Sequence, residues 1–193
     1  MASKGEATRA RLIDEAMRLV AVRGLAAVSL ADVATAAGVS KSAVLKHFQS
    51  KEALHAELVD AMIERFTQQV WRPAEGLTPG RERLDRLVEL ELDWVDGQDR
   101  PGGCPLMAAA AELDDQPGPL RDVLKSSQLR WARAIRREFW TLYPELDDAA
   151  LDAKVFQYKG MVLSYSHSKR LLDDATARAH ARAAYRALVP AAG

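Results

Sequence analysis

Nowhere in the 193 residues does an apolar–polar alternation persist for the length of a strand, whereas apolar residues recur at helical spacing almost from end to end. A half-buried strand needs period two, so its absence leaves helices to build the core. Ala, Leu, Glu and Arg recur and β-branched runs are scarce, which favours helix over sheet. Hydrophobic residues make up 48% of the chain, enough for a sizeable core. The expected fold class is all-α, with about nine helices in two domains.

Caps and breakers divide the chain. The first helix carries Leu12, Ile13, Ala16, Met17 and Val20, stops at Gly24, and is capped by Ser3 or Thr8. Ser29 with Asp32 three residues on is a capping-box pattern; it opens a second helix whose inner face is Leu30, Val33, Ala34 and Ala37. Gly38 ends that helix. Ser40 caps a third, expected over 41–48 with Val44 and Phe48 inward, and Ser50 caps a fourth reaching about Trp71. The order Thr78–Pro79 predicts the start of a fifth helix running to Gly97. Further helices are expected over 105–113, from about Leu120 to before Pro144, over 147–172 and over 175–188.

The formal net charge is +0, yet the charge is unevenly spread. Residues 1–51 hold eight Lys/Arg and four Asp/Glu, an excess of four positive charges, which the remainder balances with four negative ones. A basic head on an acidic body suggests that the head alone meets an anionic partner.

Within that head, two short helices joined by "AGVS" have the dimensions of a helix-turn-helix. With Val39 and Val44 packed beneath, Lys41, Ser42, Ala43, Lys46 and His47 face outward. The first turn, with Lys41 and Ser42, is where base edges are reached in such motifs. Lys46, His47 and Lys51 are placed for phosphates, and helix starts beside Ser29 and Lys51 offer backbone N–H groups to anions. The segment "TRARLIDEAMRLVAVRGLAAVSLADVATAAGVSKSAVLKHFQSKEAL" resembles, over its whole length, the DNA-binding domain of the tetracycline-repressor (TetR) family. The charged start, which lacks a signal-length apolar stretch, and the single Cys104 suggest a soluble cytoplasmic protein. The resemblance implies a homodimer that regulates transcription, usually as a repressor on a palindromic operator in double-stranded DNA, released by a small-molecule effector. It places Ser40, Lys41, Ser42 and Ala43 at the base-reading helix and Lys51 at a phosphate-binding lysine. Two residues depart from the pattern: Ser42 stands where glycine is frequent, and Leu45 where a phosphate-contacting tyrosine is usual.

On this reading residues 1–50 form the DNA-binding domain and 51–193 the ligand-binding and dimerisation domain. Met62, Phe66, Leu90, Trp94, Met107, Leu124 and Trp131 are the candidate effector contacts, and their Met and Trp walls suit a bulky, largely apolar molecule. Val155, Tyr158, Gly160, Met161, Val162, Tyr165 and Leu172 are the candidate dimer residues, with Gly160 letting two helices approach. The fourth helix, shared between the domains, is expected to move the heads when ligand binds.

No catalytic constellation, metal-ligand spacing or cofactor motif accompanies these features, so neither metal nor cofactor is expected. Alternatives are a regulator answering to a protein partner or to oxidation of Cys104, the single cysteine, and a helical enzyme using Cys104 or His167. No apolar run approaches the ~20 residues of a membrane span.

Overall fold

The computed structural model describes residues 4–97 and 102–190. Ten α-helices follow one another among these: α1 (Lys4–Arg23), α2 (Leu30–Ala37), α3 (Lys41–Leu45), α4 (Lys51–Phe66), α5 (Arg72–Glu75), α6 (Arg81–Asp96), α7 (Pro105–Leu113), α8 (Pro119–Leu142), α9 (Asp148–Arg170) and α10 (Ala177–Leu188). No strand occurs among the described residues, so the protein is all-α. Taken with the π-helical turn Thr67–Trp71 that joins them, α4 and α5 make one helical run and the total becomes nine. No described helix is long and apolar enough to cross a membrane.

Differences from the expected boundaries have local causes. Of the two candidate caps for the first helix, Thr8 lies inside α1, and Ser3 lies outside the described residues. The fourth helix does not stop at Trp71. Pro73 has no N–H to give an α-helical register, and the preceding turn widens so that Arg72 N–H reaches the Thr67 carbonyl, five residues back. Nor does Thr78 cap α6. Gly80 holds that position, and its N–H donates to the buried Glu138 carboxylate at 2.7 Å, while Thr78 N–H donates to Glu82. The third helix is shorter than expected, ending at Leu45 before a turn in which the His47 and Phe48 N–H groups both bond the Val44 carbonyl.

The chain forms two compact units, residues 1–65 with 99–126, and residues 66–98 with 127–193. Residues 51–65 and 102–126, expected in the second domain from sequence, cluster with the first. In the first unit Leu12, Ala16 and Val20 of α1, Val33 of α2, Val44 of α3, Phe48, and Leu54 and Leu58 of α4 are wholly buried. Burial of each such side chain contributes roughly 1.5–3 kcal/mol.

The first unit also controls the turn between α1 and α2. Glu112 on α7 accepts hydrogen bonds from Leu25 N–H (2.7 Å) and Ala26 N–H (2.9 Å). Lys51 Nζ donates to the Ala26 carbonyl (2.6 Å), and His55 Nε2 lies 2.8 Å from the Val28 carbonyl. Three side chains thus satisfy backbone groups that neither helix can pair. Glu112→Ala is expected to cost about 2 kcal/mol, because two charge-assisted bonds vanish and the Leu25 N–H is part-buried. Thermal denaturation should show a fall in melting temperature of about 5 °C.

In the second unit, α6 packs on α9, and α9 on α10. The buried stripe of α6 is Leu84, Leu87, Val88, Glu91, Trp94 and Val95, at helical spacing. Its acidic edge meets α10: Arg178 bonds Asp96 (2.8 Å), Asp93 (2.6 Å) and Glu89 (3.1 Å), Arg182 bonds Glu89, and Tyr185 Oη donates to Asp85 (2.7 Å).

Candidate nucleic-acid interface and effector site

The helix-turn-helix is built by its caps. Ser29 Oγ accepts from Asp32 N–H, and the Asp32 carboxylate accepts from Ser29 N–H (2.9 Å) and from the Ser29 hydroxyl. Those Ser29 hydrogen bonds, with Arg23 at 3.0 Å, hold the Asp32 carboxyl below its ordinary titration range. The turn into α3 requires a left-handed residue, and Gly38 takes it at φ 64°, ψ 36°, its N–H closing on carbonyls of α2. Ser40 then caps α3 by accepting from Ala43 N–H.

With Val44 and Phe48 buried beneath, Lys41, Ser42, Leu45 and Lys46 are exposed, and Ala43 and His47 are half-buried. The structure therefore brings the candidate DNA contacts of α3 onto one outward surface. Two others are already engaged within the head. The Ser29 hydroxyl serves its cap, and the Lys51 ammonium holds the Ala26 carbonyl while the rest of its side chain stays exposed.

Of the candidate effector residues, Phe66, Trp94 and Trp131 come together. The Phe66 ring meets Trp94 edge-on (centroids 5.6 Å, 87°) and Trp131 edge-on (5.0 Å, 86°). Trp71 joins them, perpendicular to Trp131 at 6.3 Å. Leu90 is buried in the same unit; Met62 and Leu124 are buried in the first unit, where Met107 is half-buried.

Glu91 is the residue that sequence reasoning missed. Only 6% exposed, it accepts a hydrogen bond from Tyr158 Oη (3.0 Å) and another from the Trp131 side chain. Burial raises its carboxyl to about 7, against the opposing pull of those two bonds and of Lys159. The signal was an acidic residue at an inward position of the α6 stripe.

The candidate dimer residues divide. Val155, Tyr158, Met161, Val162 and Tyr165 are buried inside their own unit, where Tyr158 bonds Glu91 and Tyr165 bonds Asp96. Leu172 is exposed, and a Cβ at Gly160 would meet open space. The apolar side chains that α9 leaves outward are Phe156, 79% exposed, and Leu163. Cys104 is buried at the start of α7. Among the described residues no group of His, Cys, Asp and Glu could hold a metal ion.

An all-α fold with this head defines a helix-turn-helix protein of the DNA-binding regulator class. Two family models match the chain: "Bacterial regulatory proteins, tetR family" over residues 12–58, and "Tetracyclin repressor-like, C-terminal domain" over residues 80–185. The chain belongs to the TetR family of DNA-binding transcriptional regulators, which are not enzymes.

Among curated relatives, the transcriptional repressor DhaR of Mycobacterium sp. (strain GP1) is 26% identical over 123 residues, covering 63% of this chain and 58% of DhaR. The regulator TtgR of Pseudomonas putida is 39% identical over 61 residues, 32% of this chain and 29% of TtgR. The chain thus spans less than two thirds of the length of these relatives. Among solved structures, a TetR regulator from Chloroflexus aurantiacus superposes with a TM-score of 0.82 at 25% identity, covering 95% of both chains. AibR, solved in complex with isovaleryl coenzyme A and operator DNA, has the same fold, with a TM-score of 0.76 at 18% identity over 94% of this chain and 98% of its own.

Proposed function

We infer that this protein is a homodimeric repressor, working in the cytoplasm, that binds a palindromic operator through α3 and is released by a small, largely apolar effector held in the second unit. The exposed surface of α3 and the turn after it, with Lys41 and Lys46 outward over buried Val44 and Phe48, carries the reading. Lys41 and Ser42, with Ser40 and Ala43, read base edges; Lys46, His47 and Lys51 meet phosphates, as do backbone N–H groups at the start of α2 beside Ser29. Leu45 cannot donate to a phosphate, and Lys46 beside it takes over that contact. AibR, solved with both operator DNA and a coenzyme A ester, supports coupling of the two ligands in one molecule of this fold.

Dimerisation uses the outer face of α9 and α10, with Phe156, Gly160, Leu163 and Leu172 between the copies. A two-fold axis sets the two α3 helices about one turn of DNA apart, or a small multiple, hence the palindrome. Effector binding favours a conformation with lower operator affinity. Cys104, being buried, makes oxidation the weaker form of control.

Selection from a random DNA pool by the purified protein tests the reading. An enriched palindrome is expected, and no enrichment at low salt would overturn it. On the selected site, Lys41→Ala is expected to weaken binding about tenfold or more, since each dimer loses the contact twice. Titration at several salt concentrations should also show a shallower salt dependence if the lost contact is to phosphate.

A further inference from the structure

Among the described residues, the buried Glu138 and three carboxylates on the edge of α6 are paired with arginine, whereas the buried Glu91 is not. Glu138 has Arg83 at 3.0 Å; Glu89, Asp93 and Asp96 share Arg178 and Arg182. Glu91 is nearly enclosed and has only the neutral donors Tyr158 and Trp131, with no ion pair to it among the described residues. A carboxylate without a cation in such a place favours whatever positive charge can reach it.

The rings around it offer the other half of a cation site. Phe66 stands perpendicular to both Trp94 and Trp131, and Trp71 perpendicular to Trp131. Rings so arranged turn electron-rich faces in several directions, and a cation lying over such a face is attracted by it. Phe66, Trp71 and Trp131 are each partly exposed, whereas Glu91 is buried. We propose that the effector of this regulator is an organic cation, its charge set against Glu91 and its apolar surface against Phe66, Trp71, Trp94 and Trp131.

The proposal rests on the second unit being the effector domain and adds the chemical class. The groups facing Glu91 decide how it responds to pH. From α9 these are Tyr158 and Lys159, from α8 the Trp131 side chain, and from α10 Tyr185 through its effect on Tyr158. Tyr158 is held well above its ordinary value by burial and by Glu91, so it remains a neutral donor. Lys159 acts through its charge and does not offset burial. Glu91 thus changes charge near pH 7, and below that a bound cation must displace its proton to solvent.

Three probes on one frame test this: 4-(trimethylammonio)benzyl alcohol, its uncharged carbon isostere 4-tert-butylbenzyl alcohol, and the anion 4-tert-butylbenzoate. Each is titrated into the full-length protein at pH 6 and pH 8, with tryptophan fluorescence as the readout. The cation should bind at least tenfold more tightly than the alcohol at pH 8, and its affinity should fall about tenfold at pH 6. Glu91→Gln should erase the cation's advantage and its pH dependence, leaving affinity for the alcohol within threefold, which also shows the variant to be folded. Equal binding of cation and alcohol, or a cation indifferent to Glu91→Gln, overturns the cation class. If the alcohol or the benzoate binds best, the effector site stands and only its charge preference falls. If none of the three alters the fluorescence, both the class and the site fall.

Discussion

Gly102→Ala is expected to lower the melting temperature by about 10 °C, corresponding to a loss of more than 3 kcal/mol. Gly102 has φ +102°, where an L side chain is strained by roughly 1–3 kcal/mol before any contact is considered. A Cβ there would sit 1.8 Å from the Ala21 carbonyl oxygen and 2.4 Å from its carbon. Those are backbone atoms in the last turns of α1 and cannot rotate aside. The segment leading into α7 must instead back away, and it would carry Glu112 off the Leu25 and Ala26 N–H groups. Hydrogen exchange should therefore show those two amides losing protection in the variant. Gly76→Ala is the control, since Gly76 has φ −82° and nothing lies within 4 Å of its Cβ position. It should melt within 2 °C of the parent.

The helix-turn-helix was legible in the sequence because its determinants are local. The capping box of Ser29 and Asp32, the left-handed Gly38 and the Ser40 cap each act across three or four residues, and each appears in the structure as read. What completes the head is not local. Glu112 lies 87 residues from Leu25 and His55 lies 27 from Val28, and nothing in the spacing of the chain joins them. Lys51 could be read as a phosphate ligand from its place after a cap, but only the fold reveals the Ala26 carbonyl beside it.

The second unit was less legible, because helical periodicity reports that a face is buried without saying what buries it. Tyr158, Met161, Val162 and Tyr165 share one side of α9, and that side could as well have faced a second copy as the interior. The structure turns it inward, against α6 and α10, and leaves Phe156 and Leu163 outside. The aromatic cluster is half visible in the sequence: residue type and helical position point to Phe66, Trp94 and Trp131, while Trp71 reads as the end of a helix that in the fold continues through a π-helical turn.

Glu91→Gln is expected to stabilise the protein by about 3 kcal/mol at pH 8 and to leave its stability unchanged below pH 4.5. The Glu91 carboxyl is raised from an ordinary 4.5 to about 7 because burial penalises its charge more than Tyr158, Trp131 and Lys159 favour it. Between those two values the unfolded chain has lost the proton and the folded protein keeps it. Unfolding then releases a proton, and stability falls as the pH rises. The contribution of the raised group is thus whole below about 4.5 and gone above about 7. Glutamine resembles the protonated acid in shape, still accepts the Tyr158 hydroxyl and cannot ionise, so it escapes this loss. Denaturation of both proteins at pH 5, 6, 7 and 8 should give curves that diverge upward through this range, reaching a melting-temperature difference on the order of 10 °C. Parallel curves would mean that Glu91 titrates in the fold as it does in water, with solvent reaching it past the aromatic rings. Divergent curves would show that burial of Glu91 costs the fold stability that glutamine at the same position would keep.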